Sequence, residues 1–253
     1  MRTLLFPIRI IYCVYALVLF IAIMFCIIPF VVAASFFGKI KGGNVIYRLC
    51  AFWTDAWCLL IGIRHTNLYD APHDKSKQYI FVANHISYMD APIIVKTIRQ
   101  PVRALGKAEM SRIPFFGFIY RRAIVTVQRN NPENRAKSVR ILRSILKKKI
   151  SIFMFPEGTF NETHQPLKEF FDGAFRIAIE TQTPIKPLLF LDGYNRMHYR
   201  SVFSLRPGRS RSVFLEEVSV AGLTMKDVQE LKQKVYQRIE HKLIDYKADW
   251  IID

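Results

Sequence analysis

Residues 10–37 contain no charged position. As one continuous helix they would run roughly 42 Å at about 1.5 Å per residue, against a bilayer hydrocarbon core of about 30 Å. The run is also longer than the roughly 7–15 apolar residues of a signal-peptide core. It therefore reads as a retained element, and not as a leader cleaved after Val32-Ala33-Ala34. A second apolar stretch, 45–63, carries Arg48 and Asp55 among Leu49, Phe52, Trp53, Trp57, Leu59 and Leu60. It is amphipathic, and its two tryptophans suit a membrane interface. The basic, glycine-rich Gly38-Lys39-Ile40-Lys41-Gly42-Gly43 joins the two. The pattern predicts an N-terminal membrane-associated two-helix hairpin over 1–65, lying in or dipping into one leaflet. A single span at 10–34 followed by a core helix is the alternative.

Beyond Arg64 short apolar runs alternate with helical periodicity. Strands are predicted at 78–83, 102–105, 123–128, 150–154, 185–190 and 212–218, and helices at 91–98, 114–121, 132–148, 172–181 and 225–246. The helix at 132–148 has Asn131 as its N-cap and Pro132 at its first position. Alternation of this kind makes an α/β domain, a mostly parallel sheet flanked by helices, and assigns 66–253 to one catalytic domain.

At 253 residues the chain has room for one such domain and an appendage. Half its residues are hydrophobic, yet the formal net charge is +17, which suits a protein that buries apolar area against an anionic surface. No zinc spacing, aromatic-basic reading motif or recognition helix speaks for nucleic acid, so the bilayer is the expected partner. Cys13, Cys26, Cys50 and Cys58 all lie in the apolar first quarter without CxxC spacing. They read as small buried hydrophobes, and a cysteine-free remainder suits the cytoplasmic face of the membrane. Five arginines and no acid occupy 193–215, a stretch suited to an acidic protein partner or to anionic lipid.

The candidate chemistry sits at two strand ends. Asn84-His85-Ile86-Ser87-Tyr88-Met89-Asp90 follows the 78–83 strand. Fully extended, His85 and Asp90 would stand roughly 17 Å apart, so they cooperate only if the chain turns. Ala91-Pro92 makes that turn credible and places Asp90 as N-cap of the next helix, with His85 above the strand end where open α/β sheets hold their sites. Phe155-Pro156-Glu157-Gly158-Thr159 closes the 150–154 strand in a compact turn. A lipid hydrolase using Ser87 as nucleophile is a rival reading, but Ser87 lacks a G-x-S-x-G elbow. His85 and Asp90 alone are too few ligands for a metal-dependent phosphohydrolase, so no metal and no cofactor is expected.

Together these blocks resemble the glycerolipid acyltransferases of the 1-acylglycerol-3-phosphate acyltransferase type. His85 to Asp90 matches that family's N-H-x4-D motif and Phe155 to Thr159 its F-P-E-G-T motif. Gly106-Lys107-Ala108-Glu109-Met110, with Ile113-Pro114-Phe115-Phe116-Gly117, resembles its lysine-containing segment. Val125-Thr126-Val127-Gln128-Arg129 resembles the strand that ends in its substrate-binding arginine, and Thr183-Pro184-Ile185-Lys186-Pro187 its final strand motif. The resemblance implies His85 as general base, Asp90 as its orienting partner, and Glu157 as a residue that orients the acceptor's hydroxyls. It further implies Gly158 and Thr159 at the developing oxyanion and Lys107 and Arg129 on phosphate. The expected acceptor is a lysophospholipid, 1-acylglycerol-3-phosphate, with acyl carrier protein or acyl-CoA as donor and a different lyso-lipid acceptor as the alternative. Phe160 stands where the family commonly has arginine, and Phe171-Asp172-Gly173 replaces a common F-K-x-G arrangement, so two expected positive charges are missing.

Overall fold

The computed structural model describes residues 5–127 and 132–251; Arg129 and Asn131 lie outside them. Seven strands are formed: β1 (Ile63–Tyr69), β2 (Ile80–Ala83), β3 (Val102–Lys107), β4 (Ile124–Val127), β5 (Ser151–Met154), β6 (Ile185–Phe190) and β7 (Gly208–Phe214). They build one sheet in the order β1-β7-β6-β2-β5-β3-β4, parallel throughout except between β6 and β7. Eight helices accompany it among the described residues: α1 (Leu5–Ser35), α2 (Gly43–Leu60), α3 (Asp90–Thr97), α4 (Phe116–Ala123), α5 (Pro132–Leu146), α6 (Gly173–Thr181), α7 (Gly193–Arg196) and α8 (Val228–Asp245).

The central strands β2, β5 and β6 are buried at every position, because helices cover both faces of the sheet. The two-residue period of a strand then sorts its side chains. Ile80 and Val82 join Ile152 and Leu189 in a core with α5, α6 and α8. Tyr79, Phe81 and Ala83 join Phe153 and Phe190 in a second core, with α3 and the α1–α2 pair. The hairpin is therefore part of the fold: Cys13, Ala16, Tyr47, Trp57 and Cys58 all pack into that second core.

One sequence expectation changes here. Trp53 and Trp57 are buried, 5% and 6% exposed, and do not stand at an interface. The indole N–H of each finds a backbone carbonyl of α1, Trp57 that of Ala16 at 2.7 Å and Trp53 that of Phe20 at 3.0 Å. A partner for the N–H is what permits so large a ring to be buried. The opposite face of α1 is bare, with Ile8, Ile11, Leu17, Val18, Ile21 and Phe25 all exposed. Its Pro7–Ser35 portion, 29 residues, is long and apolar enough to cross a bilayer.

Candidate active site

Parallel strands deliver their C-terminal ends to one edge, and β2 and β5 are neighbours there. Asn84, at the end of β2, is 1% exposed. Its amide donates to the Phe190 carbonyl at 3.0 Å and accepts the Phe190 N–H at 2.9 Å, tying β2 to β6 just before the chain leaves the sheet.

The chain then turns back on itself, with the Asp90 N–H on the Ser87 carbonyl at 3.1 Å. His85 Nδ1 lies 2.8 Å from Asp90 Oδ2, and the same oxygen accepts the N–H groups of Ile86 (2.8 Å) and Ser87 (2.9 Å). Asp90 is therefore not an N-cap. It is the first residue of α3, and its side chain makes no capping bond to that helix. Two turn N–H groups and an imidazole lie behind it, and three donors on one buried oxygen outweigh the one or two orphan N–H groups of a short helix. Asp90 is 1% exposed, while the His85 side chain keeps 19%.

The imidazole stands between aromatic rings. Phe155 stacks on it at 3.8 Å and 6°, and Phe160 lies 4.4 Å away, tilted by 55°. With Nδ1 committed to Asp90, the tautomer that keeps its proton there leaves Nε2 as an acceptor, and Nε2 makes no hydrogen bond with another described residue.

Glu157 is 2% exposed. Its Oε1 accepts the His85 N–H at 2.8 Å and its Oε2 the Lys168 N–H at 3.0 Å, so both carboxylate oxygens are engaged in joining loops. Burial pushes its acid up to about 8, against the pull of those two N–H bonds. Gly158 has φ +74°, a conformation that favours glycine, and its N–H closes the turn on the Phe155 carbonyl at 3.1 Å. Thr159 is exposed. The backbone N–H groups of Thr159 and Phe160 make no hydrogen bond with another described residue.

Lys107 is exposed at the end of β3, next to β5 in the sheet. The structure adds a cation that sequence reasoning did not name: Lys168 Nζ donates to Thr159 Oγ1 at 2.8 Å and to the Phe160 carbonyl at 3.4 Å. No carboxylate pairs with it among the described residues, and only the return path of the loop brings it to the turn. Ser87, the nucleophile of the hydrolase reading, is fully buried. Its hydroxyl donates to the Met197 carbonyl at 2.5 Å and accepts the Met89 N–H at 2.9 Å, so it is not available for attack.

Known proteins are similar to this chain. Residues 62–191 match the model of the Acyltransferase family. A 1-acyl-sn-glycerol-3-phosphate acyltransferase of Haemophilus influenzae is 25% identical over 236 residues, covering 90% of this chain and 93% of its own. One of Cocos nucifera is 32% identical over 130 residues, 51% of this chain, and the match spans 42% of its length. The crystal structure of the 1-acyl-sn-glycerophosphate (LPA) acyltransferase PlsC from Thermotoga maritima shares the fold, with a TM-score of 0.72 over the whole of both chains at 21% identity.

Proposed function

This chain belongs to the acyltransferase family, and we propose that it moves a fatty acyl group from a thioester donor to the sn-2 hydroxyl of 1-acylglycerol-3-phosphate. The product is phosphatidic acid, a precursor in phospholipid biosynthesis. The names of the Haemophilus and coconut relatives supply the acceptor. The observation that carries the chemistry is the state of His85, tied through Nδ1 to a buried carboxylate and with Nε2 unengaged.

Nε2 takes the proton of the acceptor hydroxyl as its oxygen bonds to the thioester carbon. The carbon–sulfur bond then breaks, and the thiolate of the acyl carrier protein or coenzyme A recovers the proton from the imidazolium. Asp90 fixes the tautomer and stabilises that imidazolium, as the acid does in a Ser-His-Asp triad; here the lipid hydroxyl takes the place of the serine, and no acyl-enzyme forms. The N–H groups of Thr159 and Phe160 border the carbonyl oxygen as it becomes an oxyanion. Lys107, Arg129 and Lys168 hold the acceptor's phosphate. Glu157 acts through His85, by bracing the loop that carries it.

The α1–α2 pair anchors the protein to the cytoplasmic membrane from its cytoplasmic side, the last three of residues 1–65 belonging to β1. The exposed face of α1 supports this reading. Lys39 and Lys41 at the hairpin turn oppose deep burial, since a lysine at the bilayer centre costs about 2.5–3.5 kcal/mol on the insertion scale. Labelling of Ile40→Cys from the far side of sealed vesicles would refute a one-sided anchor.

Acyl transfer to a panel of acceptors tests the assignment. Lysophosphatidic acid is expected to outpace monoacylglycerol, and His85→Ala to lose about 10²–10⁴ in rate while still folding. Equal use of both acceptors by the unmutated enzyme defeats the acceptor assignment, and near-normal turnover by His85→Ala defeats the mechanism.

A further inference from the structure

The segment between α7 and β7 supplies nothing to the chemistry above, yet it is tightly built. The Arg206 N–H donates to the Arg196 carbonyl at 2.8 Å, and the Arg196 guanidinium to the Pro207 carbonyl, so the two stems meet. Inside, the Ser201 N–H donates to the His198 carbonyl at 3.1 Å, Ser204 Oγ to the Ser201 carbonyl at 2.6 Å, and the Phe203 N–H to Ser201 Oγ at 3.1 Å. A closed loop held by its own bonds is an Ω-type excursion. Its 3-10 turn, Val202–Ser204, presents Val202 and Phe203 outward, 50% and 53% exposed. Leu205 turns inward, 3% exposed, with its carbonyl 3.8 Å from Cys13 Sγ on α1. The apolar pair therefore sits beside the first half of α1, whose bare face carries Ile8, Ile11 and Leu17. Arg200 and Arg206 are exposed in the same loop, with no acid anywhere in 193–215.

We propose that this turn is a second membrane contact: Val202 and Phe203 enter the headgroup–acyl boundary of an anionic bilayer while Arg200 and Arg206 engage lipid phosphates. The proposal rests on the reading of α1 as a helix that lies on a bilayer. Cations alone would serve an acidic carrier protein equally well. Rigidly presented apolar side chains flanked by arginine, continuous with an apolar helix face, are what an interfacial site needs. The same loop reaches the catalytic turn from its other side. His198 bridges to Ser87, Met197 receives the Ser87 hydroxyl, and the Tyr199 ring lies 6.5 Å from Phe160. Seating the turn in lipid thus fixes the wall of the site against which Asp90 is folded.

The test uses full-length Phe203→Trp on vesicles whose acyl chains carry bromine, with the wild type subtracting the signal of Trp53, Trp57 and Trp250. Quenching above the wild-type level is expected on vesicles containing phosphatidylglycerol, with its loss on purely zwitterionic vesicles. Added to Phe203→Trp, Arg200→Gln and Arg206→Gln should each weaken this response about fivefold in apparent lipid affinity. No excess quenching on anionic vesicles, with wild type still floating with them, overturns the second contact and leaves the α1 anchor standing. Failure of the wild type to float removes the anchor and the proposal with it. Shielding of the introduced indole by an acidic acyl carrier protein, and not by vesicles, overturns the bilayer in favour of the carrier.

Discussion

Replacing Asp90 by Asn keeps the side chain's shape and removes its charge. In the wild type one oxygen takes the His85 ring and two backbone N–H groups, at 2.8, 2.8 and 2.9 Å. An amide oxygen in the same place can accept all three, so the turn survives; what disappears is the attraction for an imidazolium. For charges about 4 Å apart at an effective dielectric of about 20 that attraction is about 4 kcal/mol, whereas bulk water would leave about 1 kcal/mol. A carboxylate 1% exposed sits nearer the first figure, and about 4 kcal/mol is about 10³ in rate. Folding changes less. Three bonds pass from charged to neutral at about 1 kcal/mol each, partly offset because a buried charge is no longer desolvated. The net is about 1–3 kcal/mol, or about 2–4 °C in Tm for each kcal/mol in a chain of this size. Initial rates with lysophosphatidic acid in mixed micelles, alongside melting curves, should show kcat down about 10³ and KM within about threefold, since Asp90 touches no acceptor. Because Asp90 acts through the ring, the same substitution in His85→Ala should change the rate less than about threefold. A kcat within about tenfold of wild type, or an equal loss in the His85→Ala background, would mean that the Asp90 charge does not act through the imidazole.

Three further outcomes are expected. Gly193→Ala puts a methyl 2.9 Å from Asp90 Oδ1 and 3.0 Å from Ile86 and Ser87 side-chain carbons, so it should lower kcat at least about tenfold and cost about 1–3 kcal/mol of stability; an unchanged kcat contradicts that. Lys168→Met should raise KM for lysophosphatidic acid about tenfold or more and shrink the preference over monoacylglycerol, with Lys168→Arg largely restoring both; equal effects on the two acceptors would mean the lysine only braces Thr159. Burial raises Glu157 from 4.5 to about 8, so the folded protein holds that proton where the unfolded chain has lost it. Its contribution is complete below about 4.5 and is lost as pH rises through about 8. The melting temperature of wild type should therefore fall more steeply from pH 5 to 8 than that of Glu157→Gln, and parallel curves would exclude the buried acid as the cause.

The strands that read clearly from sequence are those made mostly of apolar residues, β3 and the edge strand β4 among them. β2, β5 and β6 are continuous apolar runs bounded by turns, and the predicted bounds of each fall within two residues of the observed ones. β1 leaves no such signal because its sequence Ile-Arg-His-Thr-Asn-Leu-Tyr is mostly polar, whereas β4, Ile-Val-Thr-Val at the opposite edge, is apolar enough to be read. β7 starts at Gly208, four residues before the apolar run that announces it. Its early positions are polar yet inward-facing: Ser210 hydrogen-bonds His65 at 3.1 Å and Ser212 hydrogen-bonds Thr97 at 2.8 Å. A buried polar pair satisfied across three elements leaves no hydrophobic period to detect. The His85–Asp90 pairing is legible for the opposite reason, since five residues and one turn contain the whole geometry. The positions of Glu157 and Lys168 are not, because their partners are set by the adjacency of β2 and β5 and by the loop's return, neither of which spacing encodes.

The same contrast separates roles within the second motif. Phe155 stacks on the imidazole, buried Pro156 accepts the Phe171 N–H at 2.9 Å, Glu157 braces two loops, and Gly158 makes the turn with positive φ. Phe155 and Glu157 thus hold the His85 loop, Pro156 and Gly158 shape the turn that carries them, and Thr159 alone is exposed, carrying Lys168 on its hydroxyl. A residue that shapes the loop cannot be altered without moving the imidazole, so its loss appears in kcat and in melting temperature together. A residue that meets the acceptor shows itself in KM with the fold intact. On that criterion Phe155, Pro156, Glu157 and Gly158 act as scaffold for the base, while Thr159 and Lys168 form the part of the turn open to recognition. Of the three cations proposed to hold the acceptor's phosphate, Lys168 alone comes from the return of this loop, eleven residues past Glu157.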